Sequence, residues 1–545
     1  MDKLKIDQSM EENNFSHINT EVIRPIAQSS QSILFNIENR GGSLDRHTTI
    51  VLPAICGNPQ QFLPINVGIA ALIRSATLSI GGKVIAQNDN VGHWVGLQSS
   101  FQQQEFRDRV LKCRHGIREQ YDPCECGQVN IGAGVQRYPP GKITLKDLNY
   151  AKTFTNTNQN SAAVSHSLDT NNGRNYMITN DVNTTARLYL RLEDLFPRLY
   201  GGTQLPIHML TGLTQLRLQL NPADSAICNS QVNIGAGVGS DYQLIADEVV
   251  LLTDYLVNKN DDEVAAKIMS PEGLSIVYGD LVWQNTRING QDTLPDNTSR
   301  NYVRYELQVP MANQIVRQMY MMFNPQRNPN VIGAQLANDG AGTYKRVLVN
   351  ADGRPPHPLK NIYSSDALSY LADGCRIQVK VNQSNVYNQP LENAGHYIHE
   401  LQSAYGASFC MPQSTYNYID ACTDADEVAT AGTVVNAGVV AGILFPEKGL
   451  ISQTANFQNI SLFSLTGSNF YVGVNMQKPL LTNDGRLMRV NMAGAGTKIG
   501  QSPIIVEIDR LTPINQQKDN RDVRICCVVE KVMNIRNGMV NIVEQ

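Results

Sequence analysis

Charge is scarce in this chain. Only 17% of residues are Asp, Glu, Lys or Arg, against roughly 25% in a typical soluble protein. The polar surface therefore falls to Asn, Gln, Ser and Thr. What charge there is nearly cancels: 45 basic and 49 acidic residues leave a net −4 at pH 7. With a pI near 6.2, a broad coat of phosphate contacts is excluded, and no sequence-specific nucleic-acid binding is expected. The first twenty residues set Lys3 and Lys5 against Asp2, Asp7, Glu11 and Glu12, so no basic arm is present there to grip a genome. Long apolar runs are missing too. A membrane helix needs about 18 such residues, and the longest stretches here, such as Val249–Leu252, are strand-sized. The opening MDKLKIDQSMEEN lacks the apolar centre of a secretory signal. The ten cysteines are therefore expected to be reduced thiols in an intracellular product. Tryptophan occurs twice, at Trp94 and Trp283, and aromatics make up 7%.

What is present is β pattern. At 545 residues the chain exceeds one ordinary core, since domains average about 150 residues. Residues 1–25 are polar and aperiodic and read as an arm. Beyond them, alternation at period two recurs, as half-buried strands require. Leu188 and Leu190 alternate with Tyr189 and Arg191. Leu216, Leu218 and Leu220 alternate with Gln215, Arg217 and Gln219. Ile377, Val379 and Val381 alternate with Arg376, Gln378 and Lys380, and Val490 and Met492 with Arg489 and Asn491. Gly81-Gly82, Asn221-Pro222 and Asn483-Asp484-Gly485 punctuate the runs. Helical signals are few: Trp94–Val110, poor in helix formers; a turn at Leu192–Leu199 stopped by Pro197; and Asp262–Met269. The expectation is an all-β protein with minor helix, in two large sandwiches.

An internal repeat supports the division. Residues 77–101 and 376–405 share an alternating strand, a polar turn, Gly-His-aromatic-aliphatic, and then Leu-Gln-Ser followed by an aromatic. Gly92-His93-Trp94-Val95 corresponds to Gly395-His396-Tyr397-Ile398, an offset of 303 residues. The ends match as well: DEVVLLTDYLV (247–257) closes one half and VRICCVVEKVMNI (523–535) the other. The charged stretch 258–269 is the best boundary. The expected division is an arm at 1–25, a first domain at 26–258 and a second at 259–545. A second repeat, QVNIGAGV at 128–135 and again at 231–238, falls within the first half and reads as Gly-containing loops or hairpin tips.

No residue pattern supplies a catalytic, cofactor-binding or metal site. Cys113, His115, Cys124 and Cys126 are zinc-ligand types, but Cys-x-Cys strains a single tetrahedral site. Free thiols in a loop, a structural metal and a disulfide clip all stay open. His396-Tyr397-Ile398-His399-Glu400 is not H-E-x-x-H, because its Glu follows both histidines. It reads as a structural element shared by both halves, with the His against a strand or capping a turn. Cys526-Cys527 reads as two buried small hydrophobes. No phosphate loop or nucleophile elbow occurs.

One segment is familiar. Leu188–Leu220, LYLRLEDLFPRLYGGTQLPIHMLTGLTQLRLQL, resembles double jelly-roll major capsid proteins: a strand, a short Asp-Leu-Phe helix, a Leu-Pro element, then an alternating strand. The block at Ala76–Asp89 is similar to the early strands of that family's first jelly roll. The closest flavour is that of virophage and polinton-like virus capsid proteins. The resemblance implies two tandem eight-stranded jelly rolls with long loops and a few short helices. It implies a structural role without an active site: homotrimers forming pseudo-hexameric capsomers that self-assemble into an icosahedral viral coat around DNA. The virion is then its location, assembly takes place inside the host cell, and penton or minor capsid proteins are its further partners. The arm at 1–25 would run along the inner side of the shell.

Two other classes compete. A glycan-binding spike or lectin-like tandem β-sandwich would need clustered exposed aromatics, which the composition disfavours. A glycan-releasing amidase with tandem jelly rolls would normally be exported.

Overall fold

The computed structural model describes residues 15–56, 61–64, 67–102, 106, 110–116, 128–131, 134–137, 187–199, 204–226, 228–229, 242–258, 261–288, 302–325, 362–363, 365, 375–392, 394–405, 471–477, 480–481, 487–488, 496–511 and 521–544. Among the described residues, eight principal strands build the two large sheets of the first half, with shorter strands at their margins: β1 (Phe15–Ile23), β2 (Ser32–Ile37), β3 (Thr49–Cys56), β4 (Ile73–Ile80), β5 (Lys83–Asn88), β6 (Arg187–Arg191), β7 (Thr214–Leu220) and β8 (Val250–Asn258). Eight build the second: β9 (Leu274–Ile288), β10 (Tyr302–Val309), β11 (Ile315–Pro325), β12 (Cys375–Val381), β13 (Ser384–Asn385), β14 (Tyr471–Asn475), β15 (Ile504–Leu511) and β16 (Arg521–Arg536). A last strand, β17 (Met539–Glu544), folds back on β16.

The topology repeats strand for strand. In the first half one sheet runs β1-β8-β3-β6, with Ser43–Leu44 and Tyr242–Leu244 pairing off that path, and the other runs β2-β7-β4-β5, with Ala27–Gln28 outside β2. In the second the orders are β9-β16-β11-β14 and β10-β15-β12-β13. Adding eight to each label converts one half into the other. All these pairings are antiparallel. First strand beside last, and third beside sixth, is the double Greek key of a jelly roll. The chain is an all-β tandem of two jelly rolls.

Local chemistry explains the elements. In β7 the three leucines are buried and the intervening Arg217 and Gln219 exposed, the alternation that one solvated face demands. The β4–β5 hairpin turns on Gly81 and Gly82, both at positive φ (56° and 79°), as a tight two-residue hairpin requires. Its counterpart between β12 and β13 uses Asn382 and Gln383 at φ 50° and 67°. Three helices bear on the argument: α1 (Val91–Ser100), after β5; α2 (Leu192–Leu195), after β6; and α3 (Asp261–Met269), between the halves. A fourth, α4 (Ala394–Tyr405), follows β13 as α1 follows β5.

The arm is shorter than its sequence suggested. Residues 15–23 form β1, paired with β8 from Phe15 opposite Asn258 to Ile23 opposite Leu251. They read as polar because β1 is an edge strand. Asn19, Thr20 and Val22 face solvent, and the Thr20 hydroxyl donates to Asp254 Oδ1 at 2.8 Å. Residues 1–14 lie outside the described residues. At the other expected boundary, β8 ends at Asn258 and α3 begins at Asp261.

Each half has a core. One gathers Ile33, Phe35, Leu52, Leu78, Leu190 and Leu216; the other Met319, Phe323, Ile377, Val472, Val506 and Ile525. The first core also takes in Leu274, Ile276, Tyr278, Met533 and Ile535. One end of β9 and β16 therefore packs into the neighbouring half. The buried Arg317–Glu530 pair, 2.9 Å apart, ties β11 to β16 in the second half.

Candidate functional site

Of the residues singled out for chemistry, His93, His115, Cys526 and Cys527 are absorbed into the core. His115 stands beside Asp194, Nε2 to Oδ2 at 3.0 Å, both buried. Arg114 closes on the same carboxylate, with one contact at 2.5 Å, and the Arg191 backbone N–H donates to it at 2.8 Å. Burial pushes the Asp194 carboxyl up, but His115, Arg114 and the Arg191 amide together outweigh it and hold the pKa at about 2. The cluster clamps residues 112–115 against α2. Gly68 makes room for that turn: it sits at φ +55°, and a Cβ there would lie 2.0 Å from the His115 carbonyl oxygen. Cys124 and Cys126 lie outside the described residues, as does the Cys113 side chain. Among the described residues no group of three or more His, Cys, Asp and Glu is placed to hold a metal ion.

The Gly-His-aromatic repeat is helical, where a strand contact or turn cap was expected. In α1, His93 is buried and donates from Nε2 to the Ile362 carbonyl at 3.1 Å, its ring 4.9 Å from that of Tyr363. Burial first, and the nearby Arg524 charge second, hold His93 well below its ordinary pKa. In α4, His396 meets the Tyr387 ring, His399 is exposed, and Glu400 accepts from Tyr387 Oη at 3.3 Å. Cys526 and Cys527 are fully buried free thiols, both pushed up in pKa by burial. The first QVNIGAGV copy forms a small ribbon, Gln128–Ile131 against Gly134–Arg137. The second copy lies outside the described residues, as do Val490, Met492 and the turn at 483–485.

The feature that distinguishes this molecule is the seam where the halves meet. Strand β5 is the open edge of its sheet, and exposed edges invite association. Here β9 covers it through side chains. Tyr278 Oη donates to the Ile85 carbonyl at 2.7 Å, and Asp280 Oδ1 accepts from the Gln87 N–H at 3.1 Å. Trp283 Nε1 donates to Asn88 Oδ1 at 3.0 Å. Asp280 is itself held by Lys531 at 2.8 Å. Burial raises its pKa, against the pull of Lys531. At one end of the seam Lys83 Nζ donates to the Val540 carbonyl at 2.8 Å, and the Thr211 N–H to the Gly538 carbonyl at 2.9 Å.

Helix α1 is wedged into the seam. Trp94, Leu97 and Phe101 join Leu281, Tyr320, Leu401, Tyr471 and Val528 of the second half in one apolar cluster. Phe101 stacks flat on Tyr405, centroids 3.9 Å apart and planes within 2°. Trp94 meets Tyr320 edge-on at 5.8 Å, and the Arg198 guanidinium lies 5.7 Å above the Tyr405 ring. Such ring pairs add about 0.5–1.5 kcal/mol each beyond area burial. Phe101 and Tyr405 are the terminal aromatics of the two repeat copies, so equivalent residues of the duplicated motif touch each other. The Ser99 and Ser100 hydroxyls donate to the Gly96 and Leu97 carbonyls. That satisfies their polarity inside an apolar surround. Sequence reasoning missed the seam. Its available signals were the two tryptophans, both of which lie there, and the aromatic that closes each repeat.

No family model matches the chain, and no curated protein matches it. Solved structures do. The chain is similar to the PBCV-1 virus capsid model, at TM-score 0.47 and 11% identity, covering 97% of each chain. It is similar to the Sputnik virophage structure at TM-score 0.46 and 12% identity, covering 97% of this chain and 89% of that one. The mavirus major capsid protein aligns at TM-score 0.41 and 11% identity, covering 100% and 92%.

Proposed function

We propose that this chain is a viral major capsid protein, a structural subunit with no catalytic role. The observation that carries the reading is the strand-for-strand duplication fused through a buried seam. One chain thereby offers two similar units side by side. Three chains in a ring offer six, and a near-sixfold outline from a threefold ring can tile a closed shell. The composition fits the same end, because a surface of Asn, Gln, Ser and Thr can meet its copies over wide areas without strong like-charge repulsion.

The buried ionisable groups, Asp194 with Arg114 and His115, Asp280 with Lys531, and Glu530 with Arg317, stand among their partners and serve packing. Among the described residues no helix is long and apolar enough to cross a membrane. The chain's partners are two further copies in the capsomer, then neighbouring capsomers, with penton or minor capsid proteins closing the fivefold positions. It resides in the virion shell around a DNA genome and assembles inside the host cell.

Negative-stain images of the purified chain test this. Ring-like particles of hexagonal outline are expected. Uniform single-chain particles would count against the reading and return attention to a sugar-binding role, which a glycan array would then examine.

A further inference from the structure

A second contact joins the halves beside the aromatic cluster. Ile362 and Tyr363, from the stretch between β11 and β12 of the second half, plug into the first half. The Tyr363 hydroxyl donates to the Ala71 carbonyl at 3.0 Å and accepts from Asn221 Nδ2 at 3.1 Å. Its ring packs with Val67 and Ala71 and lies flat against α1 at Gly92, where a Cβ would come within 2.5 Å of Tyr363 Cε1. A side chain at position 92 would displace the plug.

His93 is the next residue. It is buried, and its Nε2 donates across the seam to the Ile362 carbonyl of the plug at 3.1 Å. Helix α1 itself carries no Asp, Glu, Lys or Arg. Of the elements packed against it, the turn Gly68–Leu72 carries no charge, and β4 carries only Arg74, which is exposed. Helix α2 carries Glu193 and Asp194, engaged by Arg191 and by Arg114 with His115. From the second half come Tyr363, its ring 4.9 Å from that of His93, and Arg524. On β16, Ile525 and Cys527 face the second core, whereas Cys526 and Val528 face the seam; strand alternation puts Arg524 on the seam side with them. The Arg524 guanidinium donates to a neutral partner, Asn324 Oδ1 at 2.9 Å, and its Nε has no partner among the described residues. Asp522, two residues along, is taken up by Arg287 at 3.0 Å. The charge that bears on His93 is therefore a cation, and the site suits a neutral imidazole. Because Nε2 already carries a proton, a second would go to Nδ1 and create a buried positive charge.

We infer that this plug is an acid-released latch: protonating His93 sets a second cation beside Arg524 inside the seam, and the Ile362–Tyr363 plug withdraws from α1. The released form takes up the proton near the ordinary histidine value of 6.5, while burial first and Arg524 second hold the latched form well below it. The latch therefore holds at full strength above that value and weakens as pH falls below it. This property belongs to the single chain, whatever the chain assembles into.

Hydrogen exchange of the full-length chain tests it, read at α1 at pH 7.5 and pH 5.5 and corrected for the intrinsic pH dependence of exchange. Protection of α1 should fall about tenfold between the two, while β12, inside the second core, keeps its protection. His93→Gln and His93→Asn retain an amide donor and do not titrate, so α1 protection should be the same at both pH values in each. Wild-type α1 protection that does not change with pH would overturn the inference, as would a tenfold fall that persists in the variants. A fall shared equally by α1 and β12 would also overturn it, and that comparison needs no variant to fold.

Discussion

Helices α1 and α4 hold the same place in two copies of one design, yet their surroundings differ. In α1 nearly every residue is buried, including both serines near its end. In α4, Gly395 and His399 face solvent, and Ile398 is half-buried. Trp94 reaches out of its own half into the seam. Its counterpart Tyr397 turns inward, donating to the Cys375 and Leu391 carbonyls of its own half at 2.9 and 2.8 Å. Duplication supplies two equal units. The seam then makes them unequal, because α1 is enclosed on nearly every side, whereas α4 meets the seam only through Leu401, Ala404 and Tyr405.

The largest expected effect breaks the seam itself. Trp94→Ala removes the side chain that bridges the halves and should cost about 3–5 kcal/mol. Urea unfolding followed by Trp283 fluorescence should split from one transition into two, because the halves lose their coupling. Removing Glu530 sharpens the contrast from inside one half. Glu530→Ala strands the buried Arg317 charge and should cost a similar ~3–5 kcal/mol. Here the second half should unfold at lower urea, with hydrogen-exchange protection kept in the first.

Asp194 makes the first half sensitive to acid. Its folded pKa is about 2, below the ordinary 3.8, so it contributes stability above that ordinary value and loses it as pH falls toward 2. The depression corresponds to about 2 kcal/mol at neutral pH. Urea midpoints of wild type and Asp194→Asn should differ at pH 6 and converge between pH 4 and pH 2. A constant gap would assign the effect to packing. In the second half, Tyr397→Phe should cost only about 1–2 kcal/mol, the value of a buried hydroxyl donating to backbone carbonyls, and should leave any splitting of transitions unchanged.

The smallest effect compares the two hairpin turns. Gln383 sits at φ 67° where the first half has glycine, and a left-handed conformation costs a non-glycine residue roughly 1–2 kcal/mol. Glycine recovers most of that and gives back part through chain entropy. Gln383→Gly should therefore raise stability by about 0.5 kcal/mol in a urea melt, and Gly82→Gln should lower it by about 1 kcal/mol.

Much of the fold was legible, and for identifiable reasons. Leu216, Leu218 and Leu220 face a core on one side and water on the other, so their period shows. The repeat around Gly92 and Gly395 marked the duplication because helix, turn and strand recur together. The ends of the strand system were harder. Edge strand β1 reads as an arm because its outward Asn19 and Thr20 are polar and its partner β8 lies more than two hundred residues away. Helix α1 reads weakly because Gly, Ser and Gln are poor helix formers; burial in the seam, with its hydroxyls bonded back to the helix, supplies what propensity does not. The seam was the least legible, since Tyr278, Asp280 and Trp283 sit on a strand that reads as ordinary core. Only the chain's two tryptophans and the matching Phe101 and Tyr405 hinted at where the halves would meet.

The solution mass of the purified chain, by light scattering across a concentration series, tests the central claim most directly. A species of three times 60.2 kDa that persists on dilution is the predicted result. A single 60.2 kDa species at every concentration would contradict it.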